Sequence, residues 1–262
     1  ALTGLCLNSL TILSFCKTPE LRTPTHLLVL SLALADSGIS LNALVAATSS
    51  LLRYQPLPHQ SQDLGTFCVT MKSVLFHSAE LNPPPPLSHS GSQLAWNTAI
   101  SLVICVWLSS AFWAALPLLG WGHYDYEPLG TCCTLDYSRG DRNFTSFLFT
   151  MAFFNFFLPL SITFISYRLM EQKLRKTGHL QVNTTLPART LLFGWGPYAL
   201  LYLYATIADV SSISLKLQMV PALVAKTVPT INAINYALGS EMVHRGIWQC
   251  LSPQRSGLDR AR

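Results

Sequence analysis

The stretch Leu217–Leu238 reads LQMVPALVAKTVPTINAINYAL and is apolar except for Lys226 and a few small polar side chains. About 20 apolar residues in a row are enough for an α-helix to cross a bilayer. Lys226 lies near the middle of the run, where its ammonium group cannot easily reach either headgroup layer. Ionisable residues at this depth usually face a cavity or a partner and mark function. The stretch therefore predicts a membrane helix with a functional lysine at its centre.

The rest of the chain has the composition of a membrane protein. Of its 262 residues, 50% are hydrophobic and 11% are charged, whereas soluble domains carry about 25% charged residues. Six apolar runs are visible, five of them long enough to span a bilayer: Ala1–Phe15, His26–Leu52, Trp96–Leu119, Phe147–Met170, Leu186–Ala208 and Leu217–Leu238. No repeat or linker divides the chain. We predict one all-α domain over 1–262, a polytopic membrane helix bundle.

The chain begins inside an apolar run, with neither an initiator Met nor a charged flank. A signal peptide has a positively charged start, so this run does not resemble one. We predict that residue 1 is a cut through a membrane helix, with the true amino terminus upstream of it.

The basic residues indicate how the chain is oriented. They are dispersed among short loops and not gathered on one soluble face, which argues against nucleic acid as a partner. Cytoplasmic loops of membrane proteins are enriched in Lys and Arg. Eleven of the 17 Lys and Arg residues fall in the first loop, around the loop before Leu186, and in the tail: Lys17, Arg22, Arg168, Lys173, Arg175, Lys176, Arg189, Arg245, Arg255, Arg260 and Arg262. We predict that these loops and the tail, 241–262, are cytoplasmic.

The segment Arg53–Ser92 differs from its surroundings. Its four consecutive prolines, Pro83–Pro86, cannot continue a helix because they lack N–H donors. The charge bias requires one membrane crossing within it, and Leu64–Ala79 is the only candidate. That stretch would reach only about 24 Å across an apolar core of about 30 Å. Either it crosses with strain, or it lies on the surface and the later helices are misoriented.

Two of the seven cysteines, Cys132 and Cys133, fall in a loop on the outer side. Disulfides form in the oxidising compartment that such a loop faces. Cys68 is the only outer-side partner available to them. A Cys68–Cys133 disulfide and free thiols are both compatible with the sequence.

Lys226 also has a chemical interpretation. Desolvation favours the neutral amine, which is the nucleophile that condenses with an aldehyde. The alternative is a lysine paired with a carboxylate, for structure or for ion transport. Burial alone does not separate the two.

Motifs around Lys226 resemble those of rhodopsin-like receptors. Asn232-Ala-Ile-Asn-Tyr236 stands at the place of their Asn-Pro-x-x-Tyr motif, and Gly194-Trp195-Gly196-Pro197 resembles their Cys-Trp-x-Pro motif. Single residues match the other helices of that family: Asn8, Asp36, Trp107, Pro159 and Tyr167. Each has a simpler explanation, since prolines kink helices, Trp195 can fill a core and buried polar groups can satisfy one another. Together with a lysine at the retinal-attachment position, they identify the chain as a member of the opsin family.

The opsin resemblance covers nearly the whole chain apart from Arg53–Ser92. It implies a rhodopsin-type seven-helix bundle whose third helix is atypical or missing, and all-trans-retinal bound to Lys226 as a Schiff base. Gly120-Trp121-Gly122-His123-Tyr124 and the two variant motifs resemble the retinal G-protein-coupled receptor group of opsins. That group is similar to photoisomerases, which convert all-trans-retinal into the 11-cis isomer.

The resemblance also implies roles for individual residues. Lys226 is the catalytic and attachment residue. Glu127 in the outer loop is a candidate counterion, with a solvated loop carboxylate as the alternative. Positions that contact retinal in opsins are occupied here by Met151, Phe156, Trp195, Tyr198, Ala222 and Tyr137. Aromatic side chains suit a flat conjugated ligand. No metal site is expected.

Three functions remain open on the sequence. They are a retinal photoisomerase, a light-sensing receptor that acts on a heterotrimeric G protein, and a defective opsin variant without activity. The acidic-Arg-Tyr motif with which opsins couple to G proteins is not recognisable, which weakens the second. The implied partners are retinal, the lipid bilayer, and a G protein or retinoid-handling proteins.

Two glycosylation sequons, Asn143-Phe-Thr145 and Asn183-Thr-Thr185, lie on opposite sides of the span Phe147–Met170. Only a lumenal sequon can be modified. The charge bias keeps Asn183 in the cytoplasm, so we predict glycan on Asn143.

Overall fold

The computed structural model describes residues 1–51, 95–126, 133–137, 140–158 and 186–251, and within 160–172 residues 160–162, 164, 165, 168 and 172. Several predictions fall on positions outside these described residues: Arg53–Ser92 with Leu64–Ala79 and Cys68, Glu127, Cys132, Pro159, Tyr167 and Asn183. For Cys133 only the backbone is described. The predictions for these positions stay predictions.

Helices dominate the described residues. Those of more than ten residues are α1 (Leu2–Lys17), α2 (Pro24–Leu51), α3 (Trp96–Ala115), α4 (Arg142–Ala152), α5 (Leu186–Ile207), α6 (Leu215–Ala225), α7 (Val228–Gly239) and α8 (Glu241–Leu251). Short 3₁₀ turns occupy Pro19–Leu21, Leu116–Leu119 and Val210–Ser212. A π-helical turn, Phe153–Phe157, follows α4 directly.

The helices follow the apolar runs of the sequence. α3 and α5 begin at Trp96 and Leu186, the first residues of the predicted runs. By length and composition, three described stretches can cross a membrane: Pro24–Thr48, Trp96–Leu119 and Arg142–Ile162. Many large apolar side chains on these helices are exposed, for example Leu108 at 65% and Phe149 at 59%. An apolar exterior of this kind is what contact with lipid requires.

The predicted helix over Leu217–Leu238 is divided in two. α6 ends at Ala225, Lys226 and Thr227 form a turn, and α7 begins at Val228. Pro229 explains the break, because it has no N–H to give to the Ala225 carbonyl and its ring clashes with that group. The backbone N–H of Thr227 instead donates to the Val224 carbonyl at 2.9 Å, which tightens the turn.

A short β-hairpin covers one end of the bundle. Strands β1 (Tyr124–Tyr126) and β2 (Cys133–Leu135) are antiparallel, with Tyr124 opposite Leu135. The Tyr124 hydroxyl donates to the Ala114 carbonyl at the end of α3, at 2.8 Å. The hairpin is therefore anchored to the bundle.

Asn143, in the first turn of α4, holds the loop that leads into the hairpin. Its Nδ2 donates to the Gly120 carbonyl at 2.6 Å, and its Oδ1 accepts from the Gly122 N–H at 3.2 Å. Gly122 has a φ of 86°, and a Cβ there would lie 2.8 Å from Phe147 Cγ. Glycine is therefore required at this position. Asn143 is exposed, and its glycosylation stays a prediction.

The first part of the tail 241–262 is the helix α8, which sequence analysis did not predict. It packs on the carboxyl end of α1, where a Cβ added to Gly246 would lie 3.1 Å from the Ser14 Cβ. Val243 is fully buried, whereas Trp248 is 66% exposed. The side chains of Glu241 and Arg245 are 87% and 73% exposed, so α8 is an amphipathic helix whose buried face packs on the bundle.

Candidate functional site

Lys226 lies in the turn between α6 and α7 and is half-buried. Its backbone N–H still donates to the Ala222 carbonyl, at 3.2 Å. Ala222, Ala225 and Val228, which surround it in sequence, are all at most 4% exposed. The lysine is therefore carried by a buried segment at a break in the helix.

Four rings form a continuous series from the centre of the bundle to the hairpin, here called the aromatic path: Trp195, Tyr198, Tyr202 and Tyr137. Trp195 and Tyr198 are stacked, with centroids 6.5 Å apart and an interplanar angle of 27°. Tyr198 and Tyr202 are 5.5 Å apart, and Tyr202 and Tyr137 are 6.4 Å apart. Rings at these separations attract one another beyond simple area burial.

The six predicted contact residues fall in two adjoining apolar clusters. Phe156, Trp195, Tyr198 and Ala222 belong to one cluster. Tyr137 is buried in the second, and Met151 packs against it. Tyr202 packs against both clusters and joins them. The structure therefore places all six predicted contact residues in one connected region.

α5, which carries three of the four rings of the aromatic path, contacts both α6 and α7, the helices on either side of Lys226 in sequence. Ala222 and Ala225 lie in the same cluster as Trp195 and Tyr198. Ala222 precedes Lys226 by four residues, the spacing that puts two side chains on one helix face. Gly194, the neighbour of Trp195, abuts Val228.

A polar cluster lies further along α7 and joins three helices. Asn232 Nδ2 donates to Asp36 Oδ2 at 3.2 Å, and Asn8 Nδ2 donates to the Pro229 carbonyl at 3.0 Å. Asn8 and Asp36 are fully buried. The sequence left open that these polar groups pair with one another, and the structure shows one such hydrogen bond, between Asp36 and Asn232.

Sequence analysis missed four features of the site. Tyr202 follows Tyr198 by four residues, so helical spacing could have revealed it. Asp136, only 4% exposed, is a carboxylate next to Tyr137. Asn155 is 6% exposed in the π-helical turn, and its Oδ1 has no hydrogen-bond partner in the described structure. The contact between Gly194 and Val228 joins residues distant in sequence, and no local pattern indicates it.

These features are those of a polytopic membrane helix bundle. The model of the "7 transmembrane receptor (rhodopsin family)" matches residues 90–236, more than half of the chain. The chain belongs to this family, within its group of retinal G-protein-coupled receptor opsins. It is thus an integral, multi-pass membrane protein, and the predicted fold class and family are confirmed.

Individual relatives are similar over almost their full length. The RPE-retinal G protein-coupled receptor of Homo sapiens is 74% identical over 265 residues, covering 100% of this chain and 91% of that protein. The protein of the same name in Bos taurus is 76% identical over 258 residues, covering 97% and 89%. The crystal structure of squid rhodopsin matches with a TM-score of 0.81 at 21% identity, covering 97% of this chain and 84% of that one. At that identity the last likeness shows the fold alone.

Proposed function

We propose that this protein binds all-trans-retinal covalently through Lys226, as a Schiff base, and that light converts the bound molecule to the 11-cis isomer. The observation that carries the proposal is a half-buried lysine at a helix break, in a segment whose Ala222 and Ala225 share an apolar cluster with the stacked rings of Trp195 and Tyr198. The names of the opsin relatives add support for retinal as the ligand.

The described residues fit such a ligand. Retinal supplies an aldehyde that joins a primary amine with loss of water, and a polyene that isomerises on absorbing light. The stacked rings of Trp195 and Tyr198 offer flat apolar surface for a polyene. Ala222, which is only 4% exposed, has a small side chain on the helix face that it shares with Lys226. Phe156 and Met151 cover the region from the side of α4 and the π-helical turn.

An attached cationic nitrogen needs negative charge nearby, because an opposite charge favours its protonated form. Glu127, which follows β1 directly, is our proposed counterion. A Glu127→Gln variant is expected to form the adduct but to absorb at shorter wavelength at neutral pH. Without the counterion the Schiff-base nitrogen loses its proton, and the neutral imine has a shorter effective conjugation. An unchanged spectrum would reassign the counterion.

The proposed orientation has its carboxyl end in the cytoplasm. α8 packs on the end of α1 next to the first loop, and His26 Nε2 lies 3.4 Å from Ser240 Oγ, so both segments lie at one end of the bundle. Lys17, Arg22 and Arg245 belong to this end, which is the side that the positive-inside rule assigns to the cytoplasm. The hairpin and Asn143 then face the lumen. Endoglycosidase shifts of Asn143→Gln and Asn183→Gln variants test this assignment.

The central experiment is reduction by borohydride after reconstitution with all-trans-retinal, followed by peptide mapping. We expect one retinyl label, on Lys226. A label on Lys72 or Lys216 instead would contradict the proposal, and so would the absence of any label or absorbance band. Extraction of the illuminated sample then gives the isomer ratio, and light-dependent nucleotide exchange on a G protein tests the receptor alternative.

A further inference from the structure

Two glycines flank Trp195 on α5 and differ in what surrounds them. A Cβ added to Gly194 would overlap Val228 Cγ2, and it would lie 3.7 Å from Val228 Cβ. A Cβ added to Gly196 would have no atom within 4 Å among the described residues. Glycine in a helix interior is unfavourable relative to alanine. Packing against Val228 accounts for this at Gly194 but not at Gly196.

Val228 is the first residue of α7 and stands two positions after Lys226. Its side chain is 2% exposed, and its Cγ2 occupies the space that the missing Cβ of Gly194 leaves free. A β-branched side chain in a helix has essentially one accessible χ1 rotamer, so Val228 cannot turn away without cost. A displacement of this methyl group would therefore also displace the backbone of the Lys226–Thr227 turn.

The rest of α7 has little freedom to absorb such a displacement. Asn235 Nδ2 donates to Thr190 Oγ1 at 3.3 Å, which connects α7 to α5. Thr190 precedes Gly194 by about one helical turn. Asn232 and the Pro229 carbonyl are bound to α2 and α1. These interhelical hydrogen bonds begin at Pro229, so Val228 and the Lys226–Thr227 turn precede them.

We propose that Gly194 is a positioning residue for Lys226: the space beside it seats Val228 and thereby fixes where the lysine amine stands relative to Trp195. The consequence for retinal rests on the proposed function, whereas the consequence for the reactivity of the amine does not. Gly196 is the matched control, because it has the same residue type, helix and distance from Trp195.

The experiment compares the wild type with Gly194→Ala, Gly196→Ala, Val228→Ala and the double variant Gly194→Ala/Val228→Ala. The first readout is the rate at which formaldehyde and cyanoborohydride methylate Lys226 in the full-length protein, followed by mass spectrometry. The second is the absorbance maximum and the trapped yield of the adduct with all-trans-retinal. Thermal unfolding in the same detergent reports whether each variant is folded.

We expect Gly194→Ala to change the methylation rate by about tenfold and to shift the absorbance maximum, because small misplacements of a reacting group have large effects on rate. Gly196→Ala should stay within about twofold of the wild type, and the double variant should return to that range, since Val228→Ala removes the overlap. If Gly194→Ala does not fold, recovery of folding and of both readouts in the double variant supports the proposal.

Equal rates and spectra in the wild type and Gly194→Ala would overturn it. A double variant that is folded but not restored, or an equal effect of Gly196→Ala, would also overturn it. If the wild type forms no retinal adduct, the proposed function fails, and the methylation rates alone decide the role of Gly194.

Discussion

The two helices on either side of Lys226 are held in different ways. α7, after the lysine, is bound by hydrogen bonds to α1, α2 and α5 through Pro229, Asn232 and Asn235. α6, before it, buries Met219, Pro221, Ala222 and Ala225 against the bundle and leaves Leu217 and Leu223 each 59% exposed. In the described structure, Gln218 near its beginning donates to carbonyls of the preceding loop, and the Val224 carbonyl near its end accepts from the Thr227 hydroxyl.

This difference assigns separate tasks to the two halves of one membrane crossing. Hydrogen bonds are directional and fix a helix in rotation and height, whereas apolar contacts with lipid and small side chains permit sliding. Lys226 joins the two helices, since its N–H donates to the Ala222 carbonyl of α6. We expect α6 to adjust to what occupies the space beside Trp195 while α7 stays fixed. Each prediction below alters one side of this division.

The largest effect is expected at the junction itself. Lys226→Ala should abolish the retinal adduct, and Lys226→Arg should do the same, since a guanidinium stays protonated and forms no such imine. Both are measured by borohydride trapping and by the absorbance band. Lys216→Ala, at the exposed start of α6, is the control and should keep full yield. A Lys226→Arg protein that still carried retinal would remove Lys226 from the proposal.

The next effect concerns the polar anchoring of α7. Asn232→Leu would remove the donor to Asp36 Oδ2, while Asp36 Oδ1 has no hydrogen-bond partner in the described structure. An unsatisfied buried polar group costs about 1–3 kcal/mol, and the free energy of unfolding should fall by that amount. Thermal or denaturant unfolding in detergent measures it.

The matched controls for Asn232→Leu lie on the same helices. Ile234→Ala, at a position 43% exposed, should change stability by less than about 0.5 kcal/mol. Asp36→Leu/Asn232→Leu removes both partners, and such replacements are close to neutral. A double variant less stable than Asn232→Leu would show that Asp36 is stabilised by another group.

A smaller loss is expected at the beginning of α6. Gln218 Nε2 donates to the carbonyls of Val210 and Ile213, at 3.1 and 2.9 Å. Gln218→Ala should lower stability by about 1 kcal/mol, the usual net worth of such hydrogen bonds. If α6 is the adjustable half, the absorbance maximum of the adduct should shift more than in a variant of α7 with an equal loss of stability. The reverse order would contradict the division.

The smallest effect is expected in the loop between α5 and α6. The pKa of Asp209 is lowered because its carboxylate accepts hydrogen bonds from the Ser211 N–H and hydroxyl, at 2.9 and 2.7 Å. A carboxyl whose pKa is lower when folded stabilises the fold above its unfolded pKa, near 3.9. That contribution is lost as the pH falls through the lower folded value. Asp209→Asn should therefore reduce the difference between the free energies of unfolding at pH 6 and at pH 3. If that difference stays as in the wild type, protonation of Asp209 is not linked to folding.

The positions of most membrane helices were predictable from apolar length, whereas α4 begins at Arg142, five residues before the predicted run Phe147–Met170. α1 and α2 differ from their predicted runs by at most two residues at either end. The break at Lys226 was not predicted, although Pro229 stands in the sequence, because hydropathy does not record the hydrogen bond that proline cannot make. α8 was missed for a related reason: its apolar residues are interrupted by charged and polar ones, as in an amphipathic helix, and give no continuous run.

The site was predictable where the opsin motifs lie and not elsewhere. One apolar cluster contains Trp195, Tyr198, Phe156 and Ala222, because the opsin fold brings the positions of these residues together. Asn155 was missed, since a 3.6-residue period cannot be followed through a π-helical turn. Glu127, Cys68 and Arg53–Ser92 lie outside the described residues, and their roles stay predictions.

The π-helical turn Phe153–Phe157 also bears on how this chain should be aligned with other receptors. Its i→i+5 hydrogen bonds take up one residue more than an α-helical turn would. A relative with a regular helix here would be one residue shorter, and an ungapped alignment would rotate one side of the turn by about 100° relative to the other. Met151 precedes the π-helical turn, and Phe156 lies within it. Numbering carried across from a relative with a regular helix at this place can therefore be correct for only one of them.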